Sequence, residues 1–320
     1  MANQSGVTEF FLLGFPGLPE KYNAIPSSIM FLVYILSLCA NSTVLCLVIV
    51  KETLHVPMYI LVGYLALSDL ISDVATLPKI IARYWFQAGS ISFSACFFQM
   101  FLFHYLNSLD SLIIMLMAFD RFVAICKPLQ YQTIVTTKLV FSLSFIVTLL
   151  AASVGIYCVR CGLVLSYCGP NKIRNIFCAV TSVSVLSCMD SLPIREEMSF
   201  LAIGIHMVPL GFIAFSYAIV ISKLCTAVRS EGWRKAFYTC TTHWFVITLH
   251  FIPRVVVYSY NRAQLIPNAD VNILLICLYT YIPHVSSPII FCLRTEEIKR
   301  VMGKVIGNFR NVIMTPGVYK

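Results

Sequence analysis

Apolar residues along the chain gather into seven runs. They are 19 to 27 residues long, close to the roughly 17–25 a helix needs to cross a bilayer. The runs cover Pro26–Val50, Met58–Leu77, Ala95–Phe119, Leu139–Tyr157, Met198–Leu224, Thr239–Tyr260 and Ile273–Leu293. Short polar connections join them, except between Val159 and Glu197, where the chain is long enough to form a substantial loop. There is no repeat of fixed period, no low-complexity tract and no sign of a second domain. The pattern predicts an all-α fold: a seven-transmembrane helix bundle over 26–293, preceded by a segment 1–25 and followed by a cytoplasmic tail 294–320 with a short amphipathic C-terminal helix.

Composition strengthens the bilayer reading. The 320 residues are 59% hydrophobic and only 12% charged, with a mean hydropathy of +0.84. Soluble domains carry about 25% charged residues, and one soluble domain of this length has no interior large enough for so much apolar surface. The net charge of +9 does not point to nucleic acid, because the basic residues sit between apolar runs rather than in a patch. They set topology instead. Lys51, Arg121, Lys127, Lys138, Lys223, Arg229, Arg234, Lys235, Arg294, Lys299, Arg300 and Lys304 cluster on one side, which is expected to be cytoplasmic. Seven spans then place the N-terminus outside. Residues Met1 to Tyr22 lack a basic, apolar-cored leader, so the first span is expected to act as its own signal. Asn3 opens a glycosylation sequon on the outer segment. A second sequon at Asn41 falls inside the first span and reads as chance.

Cys96, Cys168, Cys178 and Cys188 fall on the outer side, where an oxidising compartment allows three pairings that spacing alone does not separate. Cys158 and Cys161, at the outer end of the fourth span, are potential competitors. Cys39, Cys46, Cys126, Cys225, Cys240, Cys277 and Cys292 are expected as free thiols, and no spacing resembles a zinc site.

Polar groups at membrane depth are costly, about 2.5–3.5 kcal/mol for a charged one on insertion scales, so each calls for a reason. Asp69 and Asp110 lie near mid-membrane on the second and third helices. There they either share a proton or hold a cation between them. His104, Asn107 and Ser108 line one side of the third helix at i, i+3, i+4 spacing, and His206 lies in the outer half of the fifth. Arg254, Tyr258 and Arg262 climb the outer sixth helix at i, i+4, i+8. Two arginines on one stripe suggest a pocket for an anion held by charge-assisted bonds. The alternative is internal pairing with Asp270, Glu196 or Glu197.

Several motifs bear on family. Met117 to Tyr131 reads M-A-F-D-R-F-V-A-I-C-K-P-L-Q-Y, Leu54 to Tyr59 reads L-H-V-P-M-Y, and Lys235 to His243 reads K-A-F-Y-T-C-T-T-H. Ser216-Tyr217 lies toward the inner end of the fifth helix, and C-G-P-N begins at Cys168. In order, and at the right ends of the expected helices, they resemble the odorant-receptor family of rhodopsin-like G-protein-coupled receptors over nearly the whole chain. G-F-P-G-L from Gly14 and I-S-F-S-A-C-F-F-Q-M-F from Ile91 look like its class I, fish-like branch. The chain departs from the pattern at Phe119 and Phe122, where tyrosines are usual. It departs again at Ser287, Pro288 and Phe291, where rhodopsin-like receptors carry Asn-Pro and then Tyr.

The resemblance implies disulfides Cys96–Cys178 and Cys168–Cys188, and a candidate sodium site at Asp69 and Asp110; no other cofactor is expected. It implies an activation switch at Asp120-Arg121, with Tyr217, Lys235, His243 and Pro288 on the G-protein side. An odorant pocket is expected at Phe103, His104, Asn107, Ser108, Ile203, His206, Phe251, Arg254, Tyr258 and Arg262, and the resemblance implies that Arg262 binds a ligand carboxylate with His104 nearby. The expected partners are a small, anionic odorant, membrane lipids and a stimulatory olfactory-type heterotrimeric G protein that raises cyclic AMP. The expected location is the plasma membrane of olfactory cilia. Phe103 stands where amine receptors carry an aspartate, and no lysine in Ile273–Leu293 could hold retinal. No H-E-x-x-H, nucleophile elbow or phosphate loop suggests an enzyme. A non-olfactory chemoreceptor of the same fold is the nearest alternative. A transporter would show inverted repeats and broken helices, and neither is present.

Overall fold

The computed structural model describes residues 6–226, 233–262, 268–294, 298–300 and 303. Among them are seven long helices: α1 (Ala24–Val50), α2 (Pro57–Phe86), α3 (Phe93–Cys126), α4 (Thr137–Leu163), α5 (Leu192–Thr226), α6 (Trp233–Arg262) and α7 (Ala269–Arg294). Each contains one of the seven apolar runs and extends past it. The longest overshoot is in α2, which continues beyond Leu77 through Pro78 to Phe86. One internal proline forfeits a single backbone hydrogen bond, so it does not end a helix held by its neighbours. Most of the tail expected to form a C-terminal helix lies outside the described residues, as does Asn3 of the outer sequon.

Caps mark several helix ends. Ser92 Oγ accepts from the Ala95 amide at 3.3 Å at the start of α3, and Thr136 Oγ1 accepts from the Leu139 amide at 3.2 Å at the start of α4. Gln87, in the left-handed region at φ 55°, closes α2.

By length and apolarity alone, five described helical stretches qualify as membrane spans: Glu20–Val50, Pro57–Phe86, Thr137–Leu163, Leu192–Lys223 and Ala269–Leu293. Helices α3 and α6 do not, and α3 shows why. It packs against α2, α4, α5 and α6, so few of its positions meet lipid. Polar residues on it rest against protein instead, which the bilayer tolerates. The opposite holds for α1, α4 and α5, which expose Leu32, Leu36, Phe141, Phe145, Leu149, Phe212 and Phe215 on their outer faces. That arrangement suits an apolar solvent.

The sequence pattern gave no sign of a three-stranded sheet at one end of the bundle. Strand β1 (Glu9–Leu12) lies between β2 (Ser90–Ser92), antiparallel to it, and β3 (Lys172–Ile173), parallel to it. Phe10 and Leu12 point down from β1 and are fully buried in a cluster with Cys96, Phe97, Met100, Tyr167 and Ile173. Two further apolar cores fill the bundle below.

Close approach of α3 and α4 depends on small residues. A Cβ placed on Gly155 would meet the Phe101 ring at 2.9 Å and its backbone carbonyl at 3.0 Å. A backbone atom cannot swing aside as a side chain can. Gly155→Leu should therefore force the helices apart and lower stability by about 1–3 kcal/mol, seen as a lower melting midpoint of the purified protein. Gly169→Ala, which meets nothing within 4 Å, should leave the midpoint in place.

Candidate functional site

The long connection between α4 and α5 folds over the bundle as a lid. Cys178 in it bonds to Cys96 at the start of α3, and Cys168 bonds to Cys188 within the loop. Gln99 reinforces the first link: its Oε1 accepts the Cys178 amide at 2.8 Å, and its Nε2 donates to the Ala75 carbonyl at 2.7 Å. Phe177 then presses on Phe103 with ring centroids 4.2 Å apart. Cys158 and Cys161 do not compete and remain thiols.

Beneath the lid lies a cavity with an empty volume of about 660 Å³, counting its open mouth. Six of the residues expected in the pocket line it: Phe103, His104, Asn107, Ser108, His206 and Tyr258. Ile203, Phe251 and Arg254 do not line it. Phe251 is wholly buried between the helices, where its ring meets His250 and His206. The side chain of Arg262 lies outside the described residues. The apolar walls come instead from Val154, Phe177, Met198, Ile205 and Ile276, and the lid adds Asn175 and Thr181.

The polar wall has unmet hydrogen-bonding capacity. His206 Nδ1 donates to the Ala202 carbonyl at 2.7 Å, so its Nε2 carries a bare lone pair with no partner. Asn107 Oδ1 is also unpartnered. His104 Nε2 accepts the Val180 amide at 3.4 Å, leaving Nδ1 as the donor nitrogen. Ser108 returns its hydroxyl to the His104 carbonyl at 2.7 Å. Directly behind this wall sits Arg254, 1% exposed. One of its amino groups bonds His250, its carbon lies 5.9 Å from the ring of Tyr279 on the cavity wall, and its Nε has no partner. Of the acids named as internal partners for the arginines, Asp270 takes the Gly17 amide and Glu197 takes the Tyr157 hydroxyl.

Deeper still is a charged cluster that sequence reading saw only in part. Asp69 and Asp110 are both buried, as expected, but His284 of α7 and Asp73 of α2 join them. His284 Nδ1 lies 2.7 Å from Asp73 Oδ1, and its Nε2 lies 3.4 Å from Asp69 Oδ1 and 4.0 Å from Asp110 Oδ2. Ser37 donates to Asp73 and Ser68 to Asp110, each at 2.5 Å. Proline explains how α1 attaches here. Pro288 has no N–H, so the carbonyl one turn back, on His284, has no helical donor. Asn41 Nδ2 fills the gap at 2.8 Å, and it also donates to Ser37. The inner sequon asparagine is thus a buried structural link.

At the far end, Arg121 Nε lies 3.6 Å from Asp120 Oδ2, and Tyr131 donates to Asp120 Oδ1 at 2.7 Å. Burial, and then the Asp120 charge, raise the Tyr131 hydroxyl above its ordinary range, so it remains a donor. His243 of α6 is buried with Phe291 of α7 beside its ring, and the Arg121 charge acts on it. Tyr217 is buried in the same core. The Lys235 side chain lies outside the described residues.

Comparison with known proteins fixes what this arrangement is. Residues 30–308 match the family model described as olfactory receptor. The chain is 34% identical over 310 residues to olfactory receptor 6B1 of Homo sapiens, covering 95% of this chain and 96% of that one. It is 36% identical over 305 residues to olfactory receptor 56A5 of Homo sapiens, with 92% and 94% covered. With olfactory receptor 226 of Rattus norvegicus it shares 32% over 311 residues, with 95% and 94% covered. The chain belongs to the olfactory receptor family. This olfactory receptor is accordingly a multi-pass G-protein-coupled receptor and not an enzyme.

Replacing Asn41 by Ala in the receptor should orphan the His284 carbonyl and cost about 1–3 kcal/mol of stability. Thr43→Val, which destroys the same sequon but keeps the amide, should leave both melting midpoint and glycan mass unchanged.

Proposed function

We propose that the receptor binds a small amphiphilic odorant bearing a carboxylic acid beneath the lid, and that binding activates a stimulatory G protein and raises cyclic AMP. The observation that carries this reading is Arg254, a buried cation with an unpartnered Nε directly behind a polar wall. An arginine cannot shed its proton, so the wall beside it carries a standing positive field. A carboxylic acid entering there shares its proton with the bare Nε2 of His206, and the carboxylate so formed sits in the Arg254 field. Asn107, Tyr258 and the donor nitrogen of His104 orient it. The apolar remainder packs on Phe103, Phe177, Met198 and Ile276 and sets chain-length preference at about 0.8 kcal/mol per buried methylene. By the sequence stripe, Arg262 stands two turns nearer the mouth, where it attracts the acid on entry.

In this reading the cavity faces outward, the N-terminus is extracellular, and the receptor resides in the plasma membrane of sensory cilia. The basic side chains at the Arg121 end face the cytoplasm. Asp120 restrains Arg121 at rest. Activation releases Arg121 to the G protein, which also meets the loop through Lys127 and the segment from Arg229 to Lys235.

Two outcomes test these steps. In cells reporting cyclic AMP, a straight-chain acid agonist should be roughly tenfold or more potent than its methyl ester or alcohol, a gap of about 1.4 kcal/mol. Arg254→Ala and Arg262→Ala should narrow that gap at normal surface expression, and lysine at 254 should restore it only partly, because a point charge cannot reproduce the guanidinium's contacts with His250 and Tyr279. Equal potency of acid and ester on the unmodified receptor would sink the ligand assignment. Separately, Arg121→Ala should abolish agonist-driven cyclic AMP while leaving surface expression intact; normal signalling by that variant would refute the switch.

A further inference from the structure

The polar wall of the cavity is built mainly by α3 and α6: Asn107 and His104 from one, Tyr258 from the other, with His206 of α5 beside them. Elsewhere the lining is Val154 and Cys158 of α4 and Met198, Leu201 and Ile205 of α5. These two helices each pack along α3 but not along each other. Two side-chain contacts bridge them, both at the outer ends. Tyr157 donates its hydroxyl to Glu197, and Cys158 donates its thiol to the Met198 sulfur at 3.8 Å.

Inward of those bridges, the faces that line the cavity run out to lipid. On α4, Leu150 shares a face with Cys158 and Val154 at four-residue steps, and it is 53% exposed. On α5, Gly204 and Val208 share a face with Leu201 and Ile205, and Val208 is 72% exposed. At 1.5 Å per residue, Leu150 lies about 12 Å inward of Cys158, and Val208 about 15 Å inward of Met198. Both stripes therefore emerge at a similar depth. Gly204 leaves room on the α5 side, since a Cβ built there would meet no atom within 4 Å. An apolar path thus leads from the cavity to the hydrocarbon outside.

We propose that the seam between α4 and α5 is an apolar slot continuous with the odorant cavity, and that it carries the hydrocarbon tail of the ligand to the bilayer. This rests on the carboxylic-acid reading above and extends it to a class: unbranched monocarboxylic acids too long for the cavity alone. With the carboxylate at the wall of His206 and Arg254, the first methylenes fill the cavity. The later ones lie between Val154 and Leu201 and over Gly204, with lipid on their far side. A closed pocket turns away chain beyond its own length, because overpacking is costly. An open-ended slot sets no such limit, and each further methylene removed from water adds about fourfold in potency.

The test is a length series of straight-chain acids, with their methyl esters alongside, in cells reporting cyclic AMP. Potency is referred to free aqueous concentration. On the unmodified receptor, dodecanoic acid should be more potent than hexanoic acid. Gly204→Phe sets a ring in the slot without displacing any atom. It should weaken dodecanoic acid by about tenfold or more, the worth of roughly two methylenes, and shift hexanoic acid by less than about threefold at equal surface expression. Gly204→Ala, which adds one methyl to open space, should change neither. Potency that peaks at a short acid and is lost by dodecanoic acid would overturn the proposal. So would a Gly204→Phe receptor in which both acids weaken equally or neither weakens. Esters that match their acids at every length, with the Gly204→Phe effect still confined to the long members, would sink the carboxylate reading and leave the slot standing. Where Gly204→Phe does not reach the surface, the length series on the unmodified receptor decides alone.

Discussion

Inside a bilayer no water is available to satisfy a stray amide, carbonyl or charge, so each must find its partner within the protein. The rest of this receptor follows from that constraint. Helices close their own backbone bonds, and so the apolar runs become helices. Where Pro288 breaks the ladder, a side chain from another helix must supply the missing donor, and Asn41 does so across 2.8 Å. Where α3 carries charge, it must be surrounded by protein, and it touches four other long helices. The polar interior is therefore a set of linked obligations more than a list of independent sites. Asn41 serves Ser37, Ser37 serves Asp73, and Asp73 holds His284.

The same constraint separates the two ends of the ligand cavity. Its mouth is roofed by a loop that can use ordinary turns and strands because it leaves the hydrocarbon. Its floor is built of buried titratable groups, with Arg254 above and the aspartates below. A group that enters from the mouth moves from a neutral amide-and-hydroxyl lining toward a region of strong local fields. The polar lining of the cavity and the deeper charged cluster thus share one wall of α3, on which Asn107, Asp110 and Ser111 lie within little more than one helical turn.

Much of this was legible in the chain because one periodicity dominates a membrane protein. Apolar length gave the seven helices, and motif order gave the family. The i, i+4, i+8 spacing gave the arginine stripe. The failures have one physical origin: spacing along a helix shows which residues share a face but not which neighbour that face meets. Arg254 was found, yet its placement behind the cavity wall instead of in it depends on the rotation of α6. His284 and Asp73 were missed because their roles exist only when α2 and α7 stand side by side. Ile203 and Phe251 were placed in the pocket by depth alone, which fixes height in the membrane and not direction. The sheet was invisible because strands of two to four residues carry too few positions to show alternation.

That sheet sets a schedule. β1 is made before either partner, yet it lies between them, bonded to β2 through Glu9 and Ser92 and to β3 through Phe11 and Lys172. At about 5–20 residues per second of synthesis, roughly 8 to 30 seconds separate Phe11 from Lys172. During that interval Phe10 and Leu12, fully buried in the finished molecule, have at first no neighbours and then only part of their cluster, since Phe97 and Met100 precede Tyr167 and Ile173. The nascent chain must keep a sticky leading strand in reserve while four helices are threaded into the membrane. The roof of the receptor is thus started first and fastened late.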